Sequence, residues 1–238
     1  SVYQTLYLHN ALPFVEHRFS IFENRLLWTY QNVISKFIFA SIRRADEVIV
    51  QTYWMKRECI NRLGEREDKV KVVPPRIGLE AKRPFELTNE SWSTFFYPAS
   101  GQEFKNHRAI VLACLLLKER GFSDFKVIFT LSGNESKDIM ELYCTVKGRD
   151  LPIEFIGQIS RTEVFRYYSK SVLVFPSYVE SSPLPLSEAR MHGTPVLASD
   201  YAFSREVLDG YKQAKFFNPH DIEQIAEVMA KHLLERKK

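Results

Sequence analysis

Cysteine is scarce in this chain, with three in 238 residues. Cys59, Cys114 and Cys144 are odd in number, far apart and outside any metal-ligand spacing, which points to reduced core thiols in a cytosolic protein and implies no metal site. Long apolar runs are missing too. None approaches the ~20 residues of a membrane span, and the opening SVYQTLYLHN has neither a basic n-region nor an apolar h-region, so the chain reads as soluble or peripheral. Runs of like charge are also absent. The 33 basic and 29 acidic residues are interspersed around a net charge of +4, a pattern that does not favour nucleic acid. There is no G-x-G-x-x-G, which argues against a dinucleotide oxidoreductase, and no G-x-x-x-x-G-K-[ST], which argues against a P-loop enzyme.

What is present is an ordinary globular composition, 45% hydrophobic and 26% charged, arranged as short apolar runs alternating with helical segments. TFFYPA (94–99), KVIFTLS (126–132), IEFIG (153–157), VLVFPS (172–177) and PVLAS (195–199) read as strands buried on both faces. Between them lie NHRAIVLACLLLKERG, with Gly121 as a stop, SKDIMELYCTVKG, and SRTEVFRYYSKS, which opens on a Ser160-x-x-Glu163 capping box. Such alternation predicts an α/β fold, an open doubly wound parallel sheet with right-handed crossovers.

The first part differs. YQTLYLHN and EVIVQT read as strands separated by one long helix, roughly Asn24 to Ala45, with Leu27, Tyr30, Ile34, Phe37 and Ser41 on one face. WMKRECINRLG reads as a helix ending at Gly64, and KVKVVPP as a strand closed by Pro74 and Pro75. Three strands in about eighty residues are few for a doubly wound domain of ordinary size. The expected organisation is therefore the later portion of a first domain over 1–78, a linker over 79–92 and a complete domain over 93–238.

Open parallel sheets bind ligands at the carboxyl ends of their strands, and there the chain reads PSYVESSPLPLSEARMHGTPVLASD, residues 176–200. The helix entered at Pro183 and Pro185 offers unpaired N–H groups suited to a phosphate-bearing guest. Pro176, Ser177, Glu180, Leu184, Pro185, Glu188, Ala189, Gly193, Thr194, Pro195, Val196, Ala198, Ser199 and Asp200 resemble the retaining nucleotide-sugar glycosyltransferases of family 4, including the Glu-x7-Glu spacing of Glu180 and Glu188. These enzymes have the GT-B fold, two Rossmann-like domains, and the resemblance covers the second domain wholly and the first in part.

The resemblance implies that Glu180 contacts hydroxyls of the donor hexose and that Glu188 accepts hydrogen bonds from the ribose hydroxyls; a carboxylate suits both tasks because it only accepts. Lys105, followed by Asn106, matches a family lysine that stabilises the departing diphosphate. Ser100 stands where the family carries an arginine, and Ser181-Ser182-Pro183 replaces Gly-Phe-Gly, leaving hydroxyls in place of close backbone approach. Tyr-Pro-Ala ending in Lys-Asn-His resembles members that build bacterial surface polysaccharide. His9, ending TLYLHN, matches a histidine facing the sugar, and Gly157 a glycine before the loop against the base. His107, His192 and His220 read as surface or capping residues.

The resemblance therefore implies a retaining hexosyltransferase with Glu180, Lys105 and His9 at the reaction and Glu188, Ser100, Ser181, Ser182, Leu184 and Gly157 around the donor. It needs no cofactor and no metal beyond its nucleotide-sugar substrate, and it passes the sugar to a glycan or lipid-linked acceptor. A non-catalytic nucleotide-sugar or protein-binding module of the same fold is the alternative. The expected location is cytoplasmic, extending to the inner face of a membrane if Arg18, Arg25, Arg43 and Arg44 beside Phe22, Trp28 and Phe37 meet anionic lipid; packing under a sheet is the other reading of that helix.

Overall fold

In the computed structural model, which describes residues 2–76 and 83–235, the chain divides into two compact units. Among the described residues, the first comprises 2–76 with the loop Tyr178–Pro183, and the second 83–177 with 184–235. Residues 79–82 of the expected linker lie outside the described residues, and part of its remainder is helical.

The first unit runs β1 (Thr5–Tyr7), α1 (Arg25–Thr29), a π-helical turn (Tyr30–Ile34), α2 (Ser35–Arg44), β2 (Glu47–Val50), α3 (Tyr53–Leu63) and β3 (Val70–Val72). Its sheet is parallel in the order β1-β2-β3. The long helix begins at Asn24, whose side chain caps Leu27, and stops at Ala45, as its pattern predicts. Its inward face does not follow the prediction. Leu27, Gln31, Ser35 and Ile42 are buried, whereas Phe37 is 70% exposed and Ser41 is also outside.

Gln31 causes the difference. Its Oε1 accepts from Phe19 N at 3.0 Å, and its Nε2 donates to the carbonyls of Leu12 at 3.2 Å and His17 at 2.8 Å. The amide thereby satisfies backbone groups of an irregular segment that has no ladder of its own. The π turn around it offsets the apolar period that sequence spacing assumes.

The second unit runs α4 (Asn89–Ser93), β4 (Thr94–Tyr97), a 3-10 turn (Glu103–Lys105), α5 (His107–Glu119), β5 (Lys126–Phe129), α6 (Lys137–Gly148), β6 (Ile153–Phe155), α7 (Arg161–Tyr168), β7 (Val172–Phe175), α8 (Leu184–His192), β8 (Val196–Ser199), α9 (Ala202–Val207), β9 (Ala214–Phe217) and α10 (Ile222–Glu235). All pairings are parallel, in the order β6-β5-β4-β7-β8-β9. This is a Rossmann-like doubly wound architecture, as the strand–helix alternation predicts. β4, β7 and β8 are buried at every position, as strands covered on both faces must be. One helical layer is formed by α6, α5 and α10, the other by α7, α8 and α9.

Two elements here escape the apolar pattern. β9 has only one fully buried residue, Phe217, and so lacks a strong apolar run. In α4 the reciprocal cap uses Ser91 where the usual signal is glutamate: Ser91 N donates to Thr88 Oγ1 and Ser91 Oγ accepts from Thr88 N. Trp92 then donates to the His232 carbonyl at 2.9 Å and stacks on its ring, joining α4 to α10. At α7 only half of the expected box forms. Ser160 Oγ accepts from Glu163 N, while the Glu163 carboxylate pairs with Arg166.

The cysteines need one correction. Cys59 and Cys114 are buried, and burial raises both thiols, Cys59 to about 12. Cys144 is exposed on α6 and is no core thiol.

Candidate functional site

Strand order reverses between β4 and β7, and loops leaving the carboxyl ends of two such strands diverge to opposite faces and open a crevice. The chain leaving β4 carries Ser100 and Lys105; the chain leaving β7 carries Pro176 and Ser177.

The Lys105 turn is held from beneath. Tyr97 OH donates to the Lys105 carbonyl at 2.8 Å, and Ser177 Oγ donates to the Phe104 carbonyl at 3.2 Å. Asn106 sits in the left-handed region at φ 60°, and its side chain donates to the Pro219 carbonyl at 2.8 Å. Glycine and asparagine are the residues that tolerate this conformation, which accounts for Asn after the lysine. The ammonium of Lys105 lies 5.6 Å from the Phe104 ring centroid.

Several motif residues build the frame. Ser199 Oγ donates to the Ser177 carbonyl at 2.6 Å, and both serines are buried. Thr194 Oγ1 donates to the Tyr168 carbonyl at 2.5 Å, while Gly193, at φ +71°, closes α8 in a conformation strained for any side chain. Arg205 grips Asp200 with bonds of 2.6 and 2.7 Å, which hold its carboxyl below the ordinary value.

A cleft of about 610 Å³ opens along the carboxyl ends of β4, β5 and β6. Ser100 and Gly101 line one side and Gln158, Ile159 and Val164 another. Gly157, at φ +73°, precedes that wall, and its N–H donates to the Leu131 carbonyl at 2.9 Å. The floor loop after β5 is fixed by Glu135, whose carboxylate accepts from Ser132 N, Gly133 N and Asn134 N. Burial is the largest single influence on the Glu135 carboxyl and raises it, but the backbone hydrogen bonds together outweigh it and hold the carboxyl below its ordinary value. Ser100 Oγ donates to Gln102 Oε1 at 3.2 Å.

Glu188 lies on α8 and is 6% exposed. Arg161 donates to its Oε1 at 2.7 Å and Tyr168 OH to its Oε2 at 3.1 Å. Burial pushes the carboxyl above its ordinary value, opposed by the guanidinium and the phenol. The Tyr168 phenol is itself raised by burial and stays protonated. Neither Tyr168 nor Arg161 is identifiable from sequence as a partner of Glu188; both lie on a different helix, and no spacing rule links them.

Leu184 opens α8. Glu180, Ser181 and Ser182 belong to the first unit with His9. In that unit, Thr52, the cap of α3, donates to the Ser181 carbonyl at 3.1 Å, and Tyr178 packs against His17 with ring centroids 4.9 Å apart. His9 is exposed just past β1 and stacks on Tyr7 at 4.4 Å.

Two of the three histidines expected as surface or capping residues are buried. His107 is 2% exposed between Tyr97 and Phe129, both ring nitrogens lack partners among the described residues, and burial depresses its pKa to about 3, with Lys105 adding to the effect. His192 is buried too, its Nδ1 donating to the Glu188 carbonyl at 2.8 Å. His220 is exposed, as expected. No group of three or more His, Cys, Asp or Glu side chains able to hold a metal occurs among the described residues, and no described helix is long and apolar enough to cross a membrane.

Residues 80–238 match the family Glycosyl transferases group 1, and the chain belongs to it. Among curated relatives, it is 23% identical over 222 residues to the O-antigen chain mannosyltransferase RfbU of Salmonella typhimurium, covering 92% of this chain and 57% of that protein. It is 26% identical over 180 residues to a D-inositol 3-phosphate glycosyltransferase of Pseudarthrobacter chlorophenolicus, covering 70% and 42%. The chain thus spans about half the length of the curated relatives it matches. Among solved structures, sucrose-phosphate synthase from Thermosynechococcus elongatus superposes with a TM-score of 0.74 at 18% identity, covering 98% of this chain and 59% of that one. Anabaena Alr3699/HepE in complex with UDP and glucose gives 0.71 at 16%, covering 98% and 62%. At these identities the structural likeness establishes the fold.

Proposed function

We propose that the protein moves a hexose from a nucleotide-sugar donor to a glycan or lipid-linked acceptor, with retention at the anomeric carbon, in the synthesis of cell-surface polysaccharide. The observation that carries this reading is the strand-order reversal between β4 and β7, with the Lys105 turn and the Pro176-Ser177 motif at its two lips. Glu188 receives the ribose and Glu180 the hexose. Lys105 and the N–H groups at the start of α8 stabilise the diphosphate as it leaves, the point at which a fixed cation accelerates reaction most. Ser100, Ser181, Ser182, Leu184 and Gly157 line the donor, and His9 faces the sugar. The diphosphate oxygen assists deprotonation of the acceptor on the same face of the sugar, and no metal enters. UDP in the HepE complex makes UDP the first nucleotide to test.

Thermal shift with UDP, GDP and ADP tests donor binding: ligand at a hundred times its dissociation constant adds about 2.7 kcal/mol. Glu188→Ala weakens nucleotide and nucleotide sugar alike, whereas Glu180→Ala weakens only the sugar conjugate. Lys105→Ala lowers turnover about 10²–10³-fold with a smaller effect on donor affinity. Chelator leaves activity intact, and product anomers read by NMR decide retention.

Ser100 in place of arginine favours a second reading, a binding module without turnover; nucleotide affinity with no donor hydrolysis in the full-length protein selects it. A peripheral lipid contact draws on the exposed Phe22, Leu26 and Phe37 beside Arg18, Arg25, Arg43 and Arg44. Salt-sensitive sedimentation with anionic vesicles, lost when the four arginines become glutamine, tests that contact.

A further inference from the structure

The surroundings of Glu188 contain more order than a ribose acceptor requires. An ionised carboxylate offers about four lone-pair positions, two on each oxygen. In this structure one position on Oε1 is taken by Arg161 at 2.7 Å and one on Oε2 by Tyr168 OH at 3.1 Å. One position on each oxygen remains, which matches a vicinal diol that presents two hydroxyl donors.

Both donors are themselves fixed. Tyr168 is fully buried, its carbonyl accepts from Thr194 Oγ1, and its ring lies against Phe96, Phe165 and His192. The Arg161 guanidinium lies 5.0 Å from the Phe165 ring centroid, one turn further along α7. The backbone under Glu188 is tied by His192 Nδ1. A carboxylate held at both oxygens by donors from another helix has one orientation, and its unused lone pairs point in fixed directions.

We infer that Tyr168 and Arg161 are positioning residues that set Glu188 as a two-hydroxyl acceptor, and so make this site select ribonucleoside over deoxyribonucleoside diphosphates. The inference rests on the reading of Glu188 as the ribose acceptor. It goes beyond that reading by assigning the discrimination to a three-residue unit. Removing one substrate hydroxyl strands a fixed buried acceptor, so the penalty follows from the rigidity of the carboxylate as well as from its presence.

The experiment measures dissociation constants for UDP, GDP and ADP, each against its 2′-deoxy and 3′-deoxy counterpart, with the wild type, Tyr168→Phe, Arg161→Gln, Arg161→Lys and Glu188→Gln. For whichever base binds, the wild type prefers the ribo form by about ten- to a hundredfold. Tyr168→Phe and Arg161→Gln each bring that ratio towards one, and Arg161→Lys, which keeps a donor, restores part of it. A general loss of packing weakens ribo and deoxy forms equally and leaves the ratio unchanged, so the ratio separates positioning from structure. Arg161 is half-exposed, and its variants report even if Tyr168→Phe fails to fold. If Glu188→Gln abolishes the preference while Tyr168→Phe and Arg161→Gln retain it in full, the positioning role is wrong and the ribose reading stands. If no nucleoside diphosphate binds, or Glu188→Gln keeps the preference, the ribose reading fails and this inference falls with it.

Discussion

The two units solve the same problem, a parallel sheet that must be covered, with different materials. In the second, β4, β7 and β8 are buried at all positions between two layers of helices. In the first, β2 alternates between buried and half-buried residues, β1 is mostly exposed, and the inner side of the long helix is organised by a buried amide, Gln31. One unit is held chiefly by apolar area, the other depends more on a few directional bonds. Hydrophobic pattern accordingly locates strands in the second unit and misplaces a helix face in the first.

The strongest way to sharpen that contrast is to remove a large side chain from each. Phe96 is completely buried in β4 beside Tyr167 and Tyr168, so Phe96→Ala costs about 3–5 kcal/mol. Phe37→Ala, at an exposed site, stays within about 0.5 kcal/mol. Urea titration of single-tryptophan variants follows each unit, through Trp92 in the second and Trp54 in the first. If both signals shift equally in Phe96→Ala, the units unfold as one body and the contrast in their construction has no separate thermodynamic expression.

Gln31→Ala is the next largest. It strands Phe19 N and removes a donor from two carbonyls, at a cost of about 2–3 kcal/mol seen first at Trp54. A loss below about 0.5 kcal/mol would falsify the claim that this amide organises the first unit.

The larger acid sensitivity, by contrast, is expected in the second unit. His107 titrates near 6.5 when unfolded and about 3 when folded, so between these values the unfolded state holds the extra proton and stability falls as pH falls. The slope from one such group reaches about 1.4 kcal/mol per pH unit. His107→Leu flattens it, and an unchanged acid limb in that variant places the sensitivity elsewhere, with His232, lowered to about 4, the next group to replace.

The smallest effect is expected at Asp200, whose bond to Arg205 is part-exposed on both sides. Asp200→Asn costs about 1 kcal/mol or less, and high salt reduces the difference between the two proteins.

The parts of this fold legible in the sequence are those governed by local rules. Short apolar runs mark five strands of the second unit, four of them because they are buried in its core. The fifth, β6, reads as buried on both faces but lies at the sheet edge with only Ile153 fully buried, and its apolar residues alone make it legible. β9 is not legible because Ala214, Lys215 and Phe216 are only half-buried at the sheet edge, nor is α4, because Ser91 does a glutamate's task at its cap. At the candidate site, Glu188, Lys105 and Ser100 stand out through their flanking motif. Tyr168 and Arg161 do not, since their partnership with Glu188 bridges 20 and 27 residues of chain. His107 reads as a surface group from sequence because a histidine at a helix start ordinarily meets water. Here it lies beneath the Lys105 turn.

The strand order also bears on how the chain acquires its structure in time. No two neighbouring strands of the six-stranded sheet are joined by a hairpin, and the central β4 strand gains its second partner only when Phe95 meets Val172 and Phe96 meets Leu173. The bond from Trp92 to His232 spans 140 residues. Each closure forfeits chain entropy before any contact rewards it, so the second unit is expected to fold slowly for its size. During synthesis, β5 can pair with β4 and β6 as they emerge, but one flank of β4 stays unpaired until β7 leaves the ribosome. Over that interval Thr94–Tyr97 is an open apolar edge, and refolding yield should fall with protein concentration more steeply than folded-state stability alone would predict.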